Sequence, residues 1–158
     1  MPDDRWENAL SRVLELTLLL GRDATENLTR MGLTEARAHL LWELRTLAPC
    51  TQRELATVLR VTPRAVTALV DGLAETGFVT REPCPTDRRA TLVTLTEQGH
   101  ATTQVMVDGF RNLARQLFTD MPADVFDGFD DGLIHVISRL RTLLARNQQE
   151  ASTTQAGH

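Results

Sequence analysis

A mainly α fold with one small β-hairpin is what this sequence predicts, and three features predict it. Apolar residues recur at three-to-four spacing through most of the chain, the mark of helices with one buried face. Two threonine-capped helical segments follow one another with almost no linker between residues 51 and 76. Between residues 78 and 95 the periodicity changes to extended segments rich in Val, Thr and Leu, parted by a proline-containing tip.

From Trp6, the positions Leu10, Val13, Leu14, Thr17, Leu18 and Gly21 predict a first amphipathic helix of about six turns. Thr34 caps a second, which turns Leu40, Leu41, Leu44 and Leu47 inward and stops near Ala48, before Pro49. The run Thr51-Gln52-Arg53-Glu54 is a Thr-x-x-Glu capping box, in which hydroxyl and carboxylate each satisfy an orphan amide at a helix start. A short third helix follows and is expected to bury Leu55, Val58 and Leu59. Thr62 and Pro63, a cap and a proline at the first helical position, open a fourth helix. Val66, Leu69, Val70 and Leu73 stripe it, and Gly77 is placed to close it in a left-handed conformation. Two helices joined by so short a turn make a helix-turn-helix, and the hairpin formed by 78–82 and 91–95 adds a wing with a long basic tip. Thr96 caps a fifth helix bearing Ala101, Val105, Gly109, Leu113 and Leu117. Pro122 opens a sixth bearing Phe126, Phe129, Leu133, Val136, Ile137, Leu140 and Leu144. Residues 148–158 are polar, and a disordered tail is expected there.

A chain of 158 residues can bury a core without disulfides or metal. No apolar run approaches the roughly 20 residues that span a bilayer, and the opening residues lack the cationic flank of a signal peptide. A cytoplasmic protein with no membrane partner is therefore expected. Cys50 and Cys84 have neither metal nor redox spacing, and His39, His100 and His135 are equally scattered, so no metal site is expected. No nucleophile with its base and no phosphate-cradling glycine loop is present, which argues against an enzyme and against a cofactor. Aromatic residues make up 4% of the chain and Tyr is absent, which disfavours a stacking surface for single strands.

The formal charge of −4 is the wrong sign for a duplex-DNA binder, but its distribution is not. Residues 51–95 carry six arginines against five acids, and the remainder carries eleven against sixteen. Every basic residue is arginine, whose planar fork suits phosphate and guanine. With the aliphatic stripe of the fourth helix turned inward, its other face shows Thr62, Arg64, Ala65, Thr67, Ala68 and Asp71. Side chains that small let a helix lie deep in a major groove, where Arg64 can take guanine and the methyls of Ala65 or Thr67 can meet thymine. The plainer alternative is that Arg64 touches only phosphate or solvent. Amides at the two helix starts, near Thr51, Gln52 and Pro63, suit phosphate oxygens; Arg53 reinforces them and Arg81 of the hairpin joins the basic set.

The run from Val61 to Val79, VTPRAVTALVDGLAETGFV, followed by Pro85 to Gly99, PTDRRATLVTLTEQG, resembles the signature of MarR-family winged helix-turn-helix regulators. The specific part of the likeness covers about a third of the chain. The family usually carries an acidic or similar polar residue just before the Pro-x-Asp-Arg-Arg segment; here that position is Cys84. The resemblance implies a ligand-responsive repressor that binds a pseudo-palindromic duplex operator as a homodimer, with residues 34–96 as the DNA-binding region. Residues 1–30 and 97–147 would then form the helical dimerisation region, through Leu10, Leu14, Leu113, Leu117, Phe126, Phe129, Leu133 and Leu140. It further implies that one of Arg88 and Arg89 enters the minor groove while the other pairs with Asp87 and stiffens the wing. A small aromatic or phenolic effector is the family's usual releasing ligand, and His39, Trp42, Met106 and Phe110 are the residues chosen for such a pocket. Oxidant sensing through Cys84, in the wing near Arg88, is a further option, since the first helix carries no cysteine. The competing reading is a winged-helix protein-interaction module without specific DNA binding.

Overall fold

The computed structural model describes residues 4–85 and 90–155, the side chains of residues 148 and 150–155 excepted. It divides into two compact units, Met1–Asp108 and Gly109–His158. In chain order the elements are α1 (Asp4–Arg30), α2 (Glu35–Leu47), β1 (Cys50–Thr51), α3 (Gln52–Leu59), α4 (Pro63–Glu75), β2 (Val79–Pro83), β3 (Thr91–Leu95), α5 (Glu97–Phe118) and α6 (Ala123–Gln155). The fold is the mainly α winged helix-turn-helix expected from the sequence.

Local chemistry sets most of the boundaries. The hydroxyls of Thr34, Thr51, Thr62 and Thr96 each accept the amide three residues on, from Arg37, Glu54, Ala65 and Gly99. α3 has its full capping box: the Thr51 amide donates to Glu54 Oε2 at 2.7 Å. α4 has proline in its first turn and ends on Thr76, after which Gly77 takes φ +80°. α3 ends on Arg60 in the left-handed region (φ 54°), a conformation that costs a non-glycine residue about 1–2 kcal/mol.

The core of the first unit lies where α2, α3, α4 and the sheet meet. Leu40, Leu41, Leu44, Leu55, Val66, Val70, Leu73 and Val93 have no exposed surface, and Leu47, Leu59 and Leu69 pack half-buried against them. The sheet has the order β1-β3-β2 and is antiparallel throughout, with Cys50 opposite Val93 and Val79 opposite Leu95. In the second unit Phe118 meets Phe126 edge-on, ring centroids 5.4 Å apart, and Phe129 at 6.0 Å.

Five details depart from the sequence expectations. Val58 is 43% exposed, and Ala56 takes the buried place expected of it. At 3.6 residues per turn Val58 sits about 100° from the centre of the arc formed by Leu55, Ala56 and Leu59, at the edge of the packed face. The hairpin starts at Val79 because Phe78 is used elsewhere: its amide closes α4 on Leu73 O, and its carbonyl accepts the Thr96 amide. α5 seats Gly99, Thr103 and Val107 in the core. The stripe through Ala101 and Val105 lies on the opposite side, with Val105 61% exposed. The helix therefore has two apolar faces, and its more hydrophobic one faces outward. Finally, α6 begins at Ala123 with Pro122 as the residue before it, and it runs through Gln155. The tail expected to be disordered from residue 148 is thus largely helical, and its Gln, Glu and Ala residues are good helix formers. The two-residue β1 was not expected, since so short a strand has no periodicity to read.

Gly99 fixes how α5 leaves the wing. A Cβ there would run into the carbonyl oxygen of Phe78, with Leu95 Cδ2 at 3.2 Å. Backbone cannot swing aside as a side chain can. Gly99→Ala is therefore expected to cost about 1–3 kcal/mol of folding stability; an unchanged urea midpoint would show that the seat opens freely.

Candidate nucleic-acid interface

α4 divides the molecule's chemistry between its two faces. Val66, Val70 and Leu73 are sealed in the core, while Thr62, Pro63, Arg64, Thr67, Ala68 and Asp71 are exposed and Ala65 is half-buried. The free face is thus small and neutral along most of its length, with a guanidinium at its second position. Among the described residues Arg64 has no ion pair and no hydrogen-bonded acceptor.

The two helices of the motif are tied by one long-range hydrogen bond. Thr67 Oγ1, which also touches Pro63 O at 3.0 Å, donates to Gln52 Oε1 at 2.9 Å. This bond orients the first turn of α3 against the first half of α4. Gln52 and Thr67 are thereby held relative to each other.

Two acids near this face are engaged, while Glu75, four residues beyond Asp71 on the same side of α4, is exposed and has no ion pair among the described residues. Glu54 accepts the amide and hydroxyl of Thr51, at 2.7 and 2.8 Å, and these bonds hold its carboxyl below the ordinary value, the backbone bond first. Asp71 accepts a charge-assisted bond from Arg81 of β2. Arg53, Arg60 and Arg64 all remain exposed around the helix-turn-helix. Arg60, which no motif in the sequence marks, belongs with the other two. Its one sequence signal was the absence of a glycine where a left-handed cap was needed.

Arg81 pairs with Asp71 and so joins the base of the wing to α4, its side chain still 33% exposed. The rest of the wing base is ordered, with the Cys84 amide donating to Ala90 O at 3.0 Å. Asp87, Arg88 and Arg89 lie outside the described residues. Cys84 is half-buried. Cys50 is buried, and that burial, followed by the Glu54 charge, pushes its thiol up to about 11. It is protonated, and poorly nucleophilic, at neutral pH.

The four residues chosen for an effector pocket have different surroundings. His39 is exposed and faces Glu43 at 3.6 Å. Trp42 is half-buried with the Arg45 guanidinium 4.9 Å from its ring centroid. Met106 packs against the core of the first unit, and Phe110, 66% exposed, belongs to the second. A groove of about 490 Å³ lies along α1, lined by Thr17, Leu18, Gly21, Thr25, Leu28 and Glu35, and none of the four chosen residues reaches it.

Two measurements test this arrangement. The folded Glu54 carboxylate binds its proton more weakly than the unfolded one, so its contribution is complete above the ordinary carboxylate pKa and is lost as pH falls through the depressed value. The gap in urea midpoint between the parent and Glu54→Gln should accordingly be full at pH 7 and narrow below about pH 4.3; a gap independent of pH would contradict the cap. The Arg81 and Asp71 side chains are 33% and 50% exposed, so solvent screens them, and a double-mutant cycle of Arg81→Ala with Asp71→Ala should return a coupling of about 0.2–1 kcal/mol. Zero coupling would remove the anchor.

Comparison with known proteins accords with this geometry. The MarR family model matches residues 33–91. An uncharacterised HTH-type transcriptional regulator of Bacillus cereus is 32% identical over 90 residues, which are 57% of this chain and 59% of that protein. The chain thus matches somewhat less than two thirds of the length of such relatives. The reduced form of MarR from Escherichia coli superposes with a TM-score of 0.65 at 30% identity, over 80% of this chain and 95% of that one. Streptococcus pneumoniae FabT, solved in complex with DNA, shares the fold: TM-score 0.72 at 18% identity, over 88% of this chain and 97% of that one. With Escherichia coli MarR matched at 30% identity over 95% of its length and the family model over residues 33–91, the chain belongs to the MarR family.

Proposed function

We propose that this chain is a transcriptional regulator, a ligand-responsive repressor, that binds a pseudo-palindromic duplex operator as a homodimer. The observation that carries the reading is the exposed outer face of α4, with Arg64 unpaired on it and the neighbouring acids Glu54 and Asp71 tied up in internal bonds. A surface so arranged offers a duplex a cation and small methyl-bearing side chains along the first half of α4, ahead of the carboxylates of Asp71 and Glu75. Arg64 reads a base in the major groove. Arg53 and the amides at the starts of α3 and α4 hold phosphates, and one of Arg88 and Arg89 reaches the minor groove while the other pairs with Asp87.

The same reading accounts for α1 and α6. Among the described residues neither helix buries a side chain, and Leu10, Leu14, Phe126 and Leu140 stand 58%, 56%, 37% and 53% exposed. Rows of this kind call for a partner surface, and a two-fold copy supplies both that surface and the second recognition helix a palindrome needs. Residues 1–30 and 97–147 are the dimerising parts and 34–96 the DNA-binding part. The effector is a small aromatic or phenolic anion that favours one of two dimer shapes. Among the described residues no helix is long and apolar enough to cross a membrane, and the proposed site of action is the cytoplasm.

Titrating duplexes selected by the full-length chain from a random-sequence pool tests the proposal. Specific binding should weaken steeply with salt, Arg64→Ala should relax preference at one base position, and the double change Arg88→Ala with Arg89→Ala should flatten the salt slope. Sedimentation should give a dimer at micromolar concentration. Failure to select any salt-sensitive duplex would favour a protein-binding module.

A further inference from the structure

Two arginines lie against consecutive residues near the C-terminal end of α4. Asp71 takes Arg81 from the wing, and Gly72 takes Arg37 from α2. Gly72 is buried beneath that second side chain. A Cβ at this position would collide with Arg37 Nη2 and stand 2.8 Å from Cζ and 3.0 Å from Nε. The guanidinium thus occupies the space that any other residue at position 72 would fill.

Neither member of this pair is explained by its own local energetics. Glycine inside a helix loses stability to backbone entropy, so nothing in α4 alone favours it. Arg37 is half-buried, yet among the described residues its guanidinium has no ion pair and no hydrogen-bonded acceptor. What the seat supplies is a close approach of α2 to α4, with a cation placed at the negative end of the α4 dipole. Gly72 lies eight residues beyond Arg64, about 12 Å along the axis, so a tilt of about 5° at the seat would move Arg64 by about 1 Å. Recognition by a forked side chain tolerates displacements of only about 0.5 Å.

We infer that Arg37 is a positioning residue for DNA recognition: its guanidinium, laid on Gly72, sets the tilt of α4 and hence where Arg64 and Thr67 meet the bases. The inference rests on the DNA-binding reading above. Arg37 touches no DNA, so it governs the preference for one sequence over another and leaves the electrostatic attraction common to all sequences intact.

The test uses the full-length chain as the parent, Gly72→Ala, Arg37→Ala and the double variant. Each is titrated with the duplex that the parent selects from a random pool and with a scrambled duplex of equal length. In Gly72→Ala the long, flexible Arg37 is displaced while helix propensity improves, so the melting temperature should hold or rise. Affinity for the selected duplex should nevertheless fall about tenfold or more, with scrambled-duplex affinity and its salt slope unchanged. Arg37→Ala adds no atom that could clash and should give the same pattern. The double variant should lose no more than either single, because both changes remove the same guanidinium from its place over Gly72.

A selected-to-scrambled ratio that stays at the parent value in Gly72→Ala or Arg37→Ala overturns the inference, and so do losses that multiply in the double variant. If the parent itself selects no duplex, the DNA-binding reading fails and takes the inference with it. That outcome is seen in the parent alone, before any variant is made.

Discussion

The structure depends on one helix having two incompatible faces. Val66, Val70 and Leu73 bind α4 into a core formed with Leu40, Leu41, Leu44 and Leu55, all without exposed surface. Full burial of aliphatic chains of this size is worth roughly 1.5–3 kcal/mol each, so the stripe decides which way the helix is turned. With that rotation set, Thr62, Arg64, Thr67 and Ala68 have nowhere to point but outward. The functional surface is therefore a consequence of the core.

What can be read from a sequence is what is decided within a few residues. The four threonine caps, the Glu54 box, the proline start of α4 and the glycine end beyond it all rest on partners at most four positions away. Each has a side chain whose chemistry announces it. Pairings across long separations carry no such mark. The bond from Thr67 to Gln52 spans 15 residues, and that from Arg81 to Asp71 spans 10 and links a strand to a helix. Arg81 looked like one more cation on a basic stretch because its acidic partner lies on another element. Arg37 gave no signal at all, since its partner is the missing side chain of Gly72.

α5 shows the same limit from another direction. A four-residue apolar repeat was legible through Ala101 and Val105, yet the chain buries Gly99, Thr103 and Val107 instead. Hydrophobicity ranks the faces wrongly because the binding criterion is room. Close to the Phe78 carbonyl only glycine fits, and the small residues in register with Gly99 follow it into the core. The more apolar face is left over, and on α1 and α6 no described residue is buried.

Those leftovers connect stability to function. A single winged unit could hold α4 with the core described here, and it would present one arginine-bearing face to DNA. Long amphipathic helices whose leucines remain half exposed would then be an aggregation liability without a purpose. They become intelligible if a second copy covers them, because covering them also fixes the distance between two copies of α4. On that view the acid lying outside residues 51–95 is as much a part of the design as the arginines within them. Net acid outside that stretch and the arginines within it bias a duplex toward one side of the chain, so charge favours an orientation before any base is read.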